Sequence, residues 1–139
     1  MERFKRSSVN VPNVMDFNQS FGIQNEKNEN LAQNLGYKKD DLLLFQITRI
    51  VRRKGIEAAI RLIHELNDKK VKLVITGNYA DDAGSAYYNE LVNQIHELHL
   101  GHQVTFAHHL FHNKGLSNGN GELRLSLSDA YARATACTY

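Results

Sequence analysis

The chain has 139 residues, about the length of one ordinary domain, and 42% of them are hydrophobic, so it can bury a core. Its 17 basic and 15 acidic residues leave a net charge of +2, which is too balanced to indicate nucleic acid as a partner. The single cysteine, Cys137, excludes an intrachain disulfide and suits a reducing compartment.

No targeting or membrane signal is visible. No apolar run approaches the roughly 20 residues that cross a bilayer, so we expect no transmembrane segment. The basic start, MERFKRSSVN, is not followed by the apolar stretch of a signal peptide. We therefore expect a cytoplasmic protein.

The predicted elements begin after an irregular polar segment, residues 1–25, which leads into one domain over residues 26–139. A helix is predicted from Glu26 to Leu35, because Gly36 is a good residue for ending a helix. The apolar run from Leu42 to Ile47 has polar neighbours on both sides, which predicts a buried strand.

Two helices and two strands follow. The apolar spacing from Gly55 to Leu66 predicts a helix with one buried face, and Val71 to Thr76 predicts the second strand. After the next helix, Gln103 to Ala107 predicts a third strand. The expected apolar face of that helix consists of Tyr88, Leu91, Val92, Ile95 and Leu98.

The last part begins with a long loop, His108 to Leu125, with a centre rich in Gly and Asn. Ser128 is expected to cap a short helix that runs to Ala134, and Thr135 to Tyr139 predicts a fourth strand with Cys137 buried and unreactive. Strands that alternate with helices predict an α/β fold with a parallel sheet and helices on both faces. Ligands of such sheets bind at the carboxyl ends of the strands.

A basic loop follows the first predicted strand. Arg49, Arg52, Arg53 and Lys54 precede the helix that opens at Gly55, where free N–H groups favour an anion. The loop suits a phosphate or diphosphate, but a solvated basic turn with no ligand fits the residues equally well. The chain contains neither the P-loop pattern nor the Gly-x-Gly-x-x-Gly turn of dinucleotide-binding folds.

The segment FQITRIVRRKGIEAAIRLIHEL resembles the donor domain of the retaining GT-B glycosyltransferases of group 1, or family four, which includes sucrose, mannosyl and glycogen-type transferases. Those proteins carry an Arg at a strand end and a Lys-Gly five residues later, a spacing that Arg49 and Lys54 keep. The resemblance continues in the family's order in four further stretches: VPNVMDF, VKLVITGN, YYNELVNQIHELHLGHQVTFAHH and LSDAYARATACTY.

The resemblance implies a Rossmann-like GT-B donor domain that takes part in hexosyl transfer from a nucleotide diphosphate sugar to an acceptor, with retention. It implies that Arg49 and Lys54 hold the donor diphosphate and neutralise charge on the leaving group, so that neither a cofactor nor a metal ion is expected. It also assigns Gly55 and Gly77 to the lining of the donor cleft. It places the strand-end turn of Phe106, Ala107 and His108 near the nucleotide base.

The chain also departs from the family pattern. It ends at Tyr139, just before the pair of glutamates that contact the donor sugar and ribose in the family, and the acceptor-binding half is missing. Thr135 stands where relatives usually have an acidic residue. These departures predict a truncated donor domain that is inactive by itself and self-associates through uncovered surface.

Two other interpretations stay open. One is a non-catalytic, flavodoxin-like binding module, although a receiver-type domain needs acidic residues where this chain has Thr48 and Arg49. The other is a metal-binding domain, because six of the seven histidines lie between residues 96 and 112, with His96 and His99 expected on one helix face. The stretch HELH lacks the spacing of a zincin motif, so we expect no metal site.

Overall fold

The computed structural model describes residues 22–79, 84–112 and 125–138, and the following elements are those of this part of the chain. The strands are β1 (Leu42–Gln46), β2 (Val71–Ile75), β3 (Val104–Phe106), β4 (Phe111–His112), β5 (Leu125–Ser126) and β6 (Ala136–Cys137). The helices are α1 (Leu31–Asn34), α2 (Ile56–Leu66), α3 (Gly84–Glu97) and α4 (Leu127–Arg133), and a 3-10 turn covers Arg52–Lys54.

Four strands form one parallel sheet in the order β3-β2-β1-β6. Leu44 lies opposite Leu73 of β2 and opposite Ala136 of β6, so β1 has neighbours on both sides. The chain builds outward from β1 to β3 and then crosses back to place β6 on the other side of β1. Such a reversal of strand order opens a crevice at the carboxyl ends of the strands.

Helices cover both faces of this sheet, as the alternating pattern predicts. Side chains that alternate along a strand point to opposite faces, and Leu73 and Ile75 therefore pack with α2 and α3, whereas Val74 packs with α1 and α4. The predicted α/β fold is confirmed. No helix of the described residues is both long and apolar enough to cross a membrane.

The helix predicted from Glu26 to Leu35 is much shorter than expected. Only Leu31–Asn34 is helical, and residues 26–30 form turns. Asn25 and Asn28 exchange side-chain hydrogen bonds with each other's backbone N–H groups, at 3.1 and 3.2 Å. Such local bonds compete with helical ones, which explains why the Asn-rich stretch does not continue the helix.

The final helix begins two residues earlier than predicted, because Ser126 rather than Ser128 is its N-cap. The Ser126 hydroxyl accepts from the Asp129 N–H, and the Asp129 carboxylate accepts from the Ser126 N–H, which is a capping box. The ends of the predicted loop also differ from expectation, because Phe111 pairs with Leu125 in a second, two-stranded sheet. The Gly/Asn-rich centre of that loop lies outside the described residues, as does the stretch VPNVMDF.

Two burial predictions need correction. In α3 the buried side chains are Tyr87, Leu91 and Ile95, which are four residues apart and share one face. Val92, expected in the core, is 39% exposed, and Tyr88 is only half-buried. Cys137 is also only half-buried because β6 is an outer strand of the sheet, although burial still raises the pKa of its thiol.

Asp129 is expected to make stability depend on pH. Burial raises the pKa of this carboxyl, but hydrogen bonds from Asn28 and Ser126 and the charge of Lys27 outweigh that effect and leave the pKa below its usual value. Because the folded-state pKa is lowered, the stabilisation is present above the unfolded-state pKa and is lost as the pH falls through the folded-state pKa. We expect Asp129→Asn to reduce the free energy of unfolding by about 1–2 kcal/mol near pH 7 and to weaken its acid dependence.

Urea denaturation of both proteins between neutral and acid pH measures this effect. Asp40→Asn is the control, because the Asp40 carboxylate also has a lowered pKa but is exposed, with Lys70 as its surface partner. Equal acid dependence in wild type and the Asp129→Asn variant would show that the capping carboxylate contributes nothing.

Candidate functional site

The loops that follow β1, β2 and β3 meet at the carboxyl edge of the sheet. Backbone hydrogen bonds join them: the Ile50 N–H donates to the Asn78 carbonyl at 3.2 Å, and the Ala107 N–H donates to the Ile75 carbonyl at 2.8 Å. Every site residue expected from the sequence lies on one of these three loops or at a strand end beside them. The fold therefore brings the expected residues to one edge.

Gly77 follows β2 and packs directly against the backbone after β1. A Cβ at Gly77 would lie 1.8 Å from the carbonyl oxygen of Thr48 and 2.6 Å from the Cα of Arg49. A side chain at this position would push the two loops apart. The sequence resemblance assigned Gly77 to the lining of the cleft, and the contacts show a further reason for glycine, which is close backbone approach.

The basic loop reaches α2 through the 3-10 turn and Gly55. Gly55 has φ +60°, a left-handed conformation that glycine adopts without strain, and it is the N-cap of α2. Glycine has no side chain to cap this end, and the Tyr87 hydroxyl and the Glu57 carboxylate lie beside the first N–H groups of α2. Lys54 is the residue just before this helix start, and its side chain is exposed.

Arg52 differs from the other cations of the loop in its contacts. All four cations are exposed, but the Arg52 guanidinium donates to both carboxylate oxygens of Glu90 on α3, each at 2.7 Å. The same guanidinium lies over the Tyr87 ring, 4.8 Å from its centroid. These contacts direct Arg52 towards α3, a distinction that the sequence alone did not provide.

A partly buried pair behind the loop, Tyr87 and Glu57, joins α2 to α3. The Tyr87 hydroxyl donates to the Glu57 carboxylate in the first turn of α2. Burial, together with this carboxylate, raises the pKa of Tyr87 to about 12, and the same hydrogen bond holds the Glu57 pKa below its usual value. The phenol therefore stays protonated, and the pair gives the start of α2 a fixed support.

Gln46 is a site feature that the sequence reading missed. Its side chain lies at the end of β1, is 1% exposed, and donates from Nε2 to the Lys54 carbonyl at 2.9 Å. Its backbone carbonyl accepts from the N–H groups of Thr48 and Thr76. A polar residue within the apolar run LLLFQI was the only signal of this role in the sequence.

Four side chains form an aromatic cluster, which we define as Tyr79, Tyr88, Phe106 and His108, at the ends of β2 and β3. The Tyr79 and Tyr88 rings stack with centroids 4.7 Å apart, and Phe106 lies 4.8 Å from Tyr88. His108 contacts Tyr79 edge-on at 5.8 Å. Burial, and to a smaller extent the nearby charge of His109, lowers the His108 pKa, which favours a neutral ring. Planar rings at a strand edge suit contact with another planar ring.

The histidines do not assemble into a metal site in the described part of the chain. No three side chains of His, Cys, Asp or Glu come together there in a way that would hold a metal ion. His96 lies on α3, but the helix ends at Glu97, and His99 lies beyond it with φ +56°. The predicted common helix face of these two histidines is therefore wrong.

Two surface clefts lie at the opposite, amino edge of the sheet. One is lined in part by Leu43 and Thr135, and the other by Tyr37, Lys72 and His102. The Lys72 ammonium there is already bound by the backbone carbonyls of Lys69 and His102. Because its cation is satisfied by the protein, the amino edge is the weaker candidate for an anionic ligand.

Comparison with known proteins gives the family. The chain matches the model of the glycosyl transferases group 1 over residues 27–115, well over half of its length. Over 67 residues it is 39% identical to the mannosylglucosylglycerate synthase of Petrotoga mobilis (strain DSM 10674 / SJ95), an aligned part that covers 48% of this chain and only 16% of that protein. No solved structure matches the chain significantly. Together with the parallel α/β sheet, the family match shows that the chain belongs to the glycosyl transferases of group 1.

Proposed function

We propose that these residues are the donor-binding part of a glycosyltransferase that transfers a hexosyl group from a nucleotide diphosphate sugar to an acceptor, with retention. Membership of the family supports sugar transfer in general. The observation that carries the donor site is the meeting of three strand-end loops, one of them basic, beside a helix start whose N-cap is glycine. Such a helix start favours a phosphate group.

In this proposal Arg49 and Lys54 bind the donor diphosphate, whereas the Arg52 guanidinium is engaged by Glu90 in an exposed ion pair that contributes little to stability. Lys54 lies one residue before the N-cap of α2, and the Arg49 backbone lies against Gly77. A hydrogen bond to a charged group is worth about 1.5–3 kcal/mol, so two cations offset much of the cost of desolvating a diphosphate. They also stabilise the charge that develops on the leaving diphosphate, a task that a metal ion performs elsewhere.

We place the nucleotide base beside Phe106, Ala107 and His108. Ala107 is fully buried and its N–H is bonded to β2, so the turn has a fixed position. The aromatic cluster offers apolar ring surface next to it, where the lowered pKa of His108 favours a neutral ring. Stacking on such a surface tolerates any base, since every base has a π-face. Gly55 and Gly77 line the cleft between this surface and the diphosphate.

The transfer reaction belongs, in this proposal, to a longer polypeptide that also binds the acceptor. These 139 residues are expected to bind the donor without transferring its sugar, and the transition state of the whole enzyme would be oxocarbenium-like. The relative from Petrotoga mobilis is named as a synthase of a mannosylated compound, which is consistent with a hexosyl donor. Detection of sugar transfer by these residues alone would contradict the assignment of a purely donor-binding role.

Calorimetric titration with nucleoside diphosphates and with the matching nucleosides tests the proposal. We expect UDP, GDP or ADP to bind at least about tenfold more tightly than the nucleoside of the same base, because the cations contact only the phosphates. The difference should shrink as salt concentration rises, since exposed charges are screened. Equal affinity for a diphosphate and its nucleoside would contradict the diphosphate site.

A further inference from the structure

The Gln46 carboxamide links the sheet to the basic loop at a single point. Its Nε2 donates to the Lys54 carbonyl, which belongs to the peptide that joins the 3-10 turn to Gly55. The Lys54 N–H donates to the Val51 carbonyl and the Gly55 N–H to the Arg52 carbonyl. Those two bonds lie within the loop, whereas the Gln46 bond is the one of the three that reaches from the loop to a strand.

Burying the Gln46 amide costs free energy of folding, and packing alone would not favour a polar side chain at this position. The side chain is 1% exposed, and its Oε1 has no hydrogen-bond partner among the described residues. A buried polar atom without a partner is destabilising, and an apolar side chain of similar size avoids that cost. The Gln46 amide therefore makes one hydrogen bond and leaves one buried oxygen without a partner. Its clear structural effect is to orient the Lys54–Gly55 peptide.

We infer that Gln46 is a positioning residue of the diphosphate site, which acts by fixing the Lys54 backbone at the start of α2. The inference rests on the proposed function, because it assigns to Lys54 a role in phosphate binding. Gln46 itself stays inside the fold and touches no ligand. Without its hydrogen bond the Lys54–Gly55 peptide keeps only the bond from the Gly55 N–H to the Arg52 carbonyl, which lies within the loop, so the Lys54 ammonium is less firmly directed at the phosphate.

A double-mutant cycle tests this inference, with pyrophosphate as the probe and calorimetry as the measurement. Lys54→Ala is expected to weaken binding about tenfold, and Gln46→Met several-fold, with little change in the denaturation midpoint because methionine removes the unsatisfied oxygen. If Gln46 acts through Lys54, the double variant binds as weakly as Lys54→Ala alone.

Gln103→Met is the matched control. The Gln103 Nε2 donates to the Asp68 and Val71 carbonyls at 2.9 and 3.0 Å, so this variant loses bonds from a side-chain amide to the backbone at the amino edge of the sheet, away from Lys54. Its affinity for pyrophosphate should equal that of wild type. The positioning role would be overturned if Gln46→Met bound pyrophosphate as tightly as wild type. It would also be overturned if the effects of Gln46→Met and Lys54→Ala multiplied in the double variant, and in both cases the proposed function would stand. An unchanged affinity in Lys54→Ala would overturn the proposed function as well.

If Gln46→Met folds poorly, Gln46→Glu provides a second test of the positioning role. Burial raises the pKa of a carboxyl group, so the new side chain of Gln46→Glu is protonated and able to donate to the Lys54 carbonyl at acid pH. Relative to wild type at the same pH, its affinity for pyrophosphate should be near normal at about pH 5 and should fall as the carboxyl ionises. A constant ratio to wild type across this range would contradict donation to Lys54.

Discussion

Gly77→Ala is expected to lower the free energy of unfolding by about 3 kcal/mol or more, the upper end of what overpacking costs. The new Cβ would lie 1.8 Å from the Thr48 carbonyl oxygen and 2.6 Å from the Arg49 Cα. Those are backbone atoms of the neighbouring loop, which cannot rotate away as a flexible side chain does. Urea denaturation followed by circular dichroism measures the loss.

Gly101→Ala is the matched control, because a Cβ at Gly101 would have no atom within 4 Å and its φ is not in the left-handed region. We expect its stability to lie within about 0.5 kcal/mol of wild type. If the Gly77→Ala variant still folds, its separated loops should also bind nucleoside diphosphates less tightly. Equal stability of the two variants would contradict the close packing of the loops after β1 and β2.

Lys54→Ala and Arg49→Ala are each expected to weaken binding of a nucleoside diphosphate by about tenfold or more, the loss of one charge-assisted hydrogen bond. Binding of the corresponding nucleoside should hardly change, because it lacks the phosphates. The reason is position: Lys54 directly precedes the glycine N-cap of α2, and Arg49 lies at the contact with Gly77. Calorimetric titration of each variant gives the two affinities.

Arg53→Ala and Arg52→Ala are the controls for charge. Each removes one exposed cation from the same loop, so each lowers the net charge as Lys54→Ala does. The Arg52 guanidinium is held by Glu90, which directs it away from the expected phosphate position. If all four variants lose affinity equally, the loop attracts anions through its overall charge rather than through two assigned residues.

The sheet could be predicted from the sequence because each of its strands is short, apolar and followed by a helix or turn signal. Leu42 to Ile47 and Val71 to Thr76 were placed to within one residue of β1 and β2. Apolar periodicity is a local signal, and the order of the elements then restricts the topology. The meeting of the site residues at one edge was also predictable, because the carboxyl ends of parallel strands lie at the same edge of the sheet.

Most of what the sequence did not predict depends on contacts between separate parts of the chain. The N-cap is different, because Asp129 stands three residues after Ser126 but not after Ser128 and so completes a capping box, a local pattern that was overlooked. The role of Gln46 depends on a carbonyl eight residues later, and the aromatic cluster joins Tyr79 to Phe106 through a helix side chain. No local pattern contains such contacts.

NMR mapping shows whether a nucleoside diphosphate binds at the carboxyl edge of the sheet. Backbone amide signals of the intact chain are followed during titration with UDP, GDP and ADP. We expect the tightest ligand to shift the signals of Lys54, Gly55, Gly77 and His108. Shifts confined to the amino-edge cleft around Lys72 and His102, or no shifts with any of the three, would contradict this expectation.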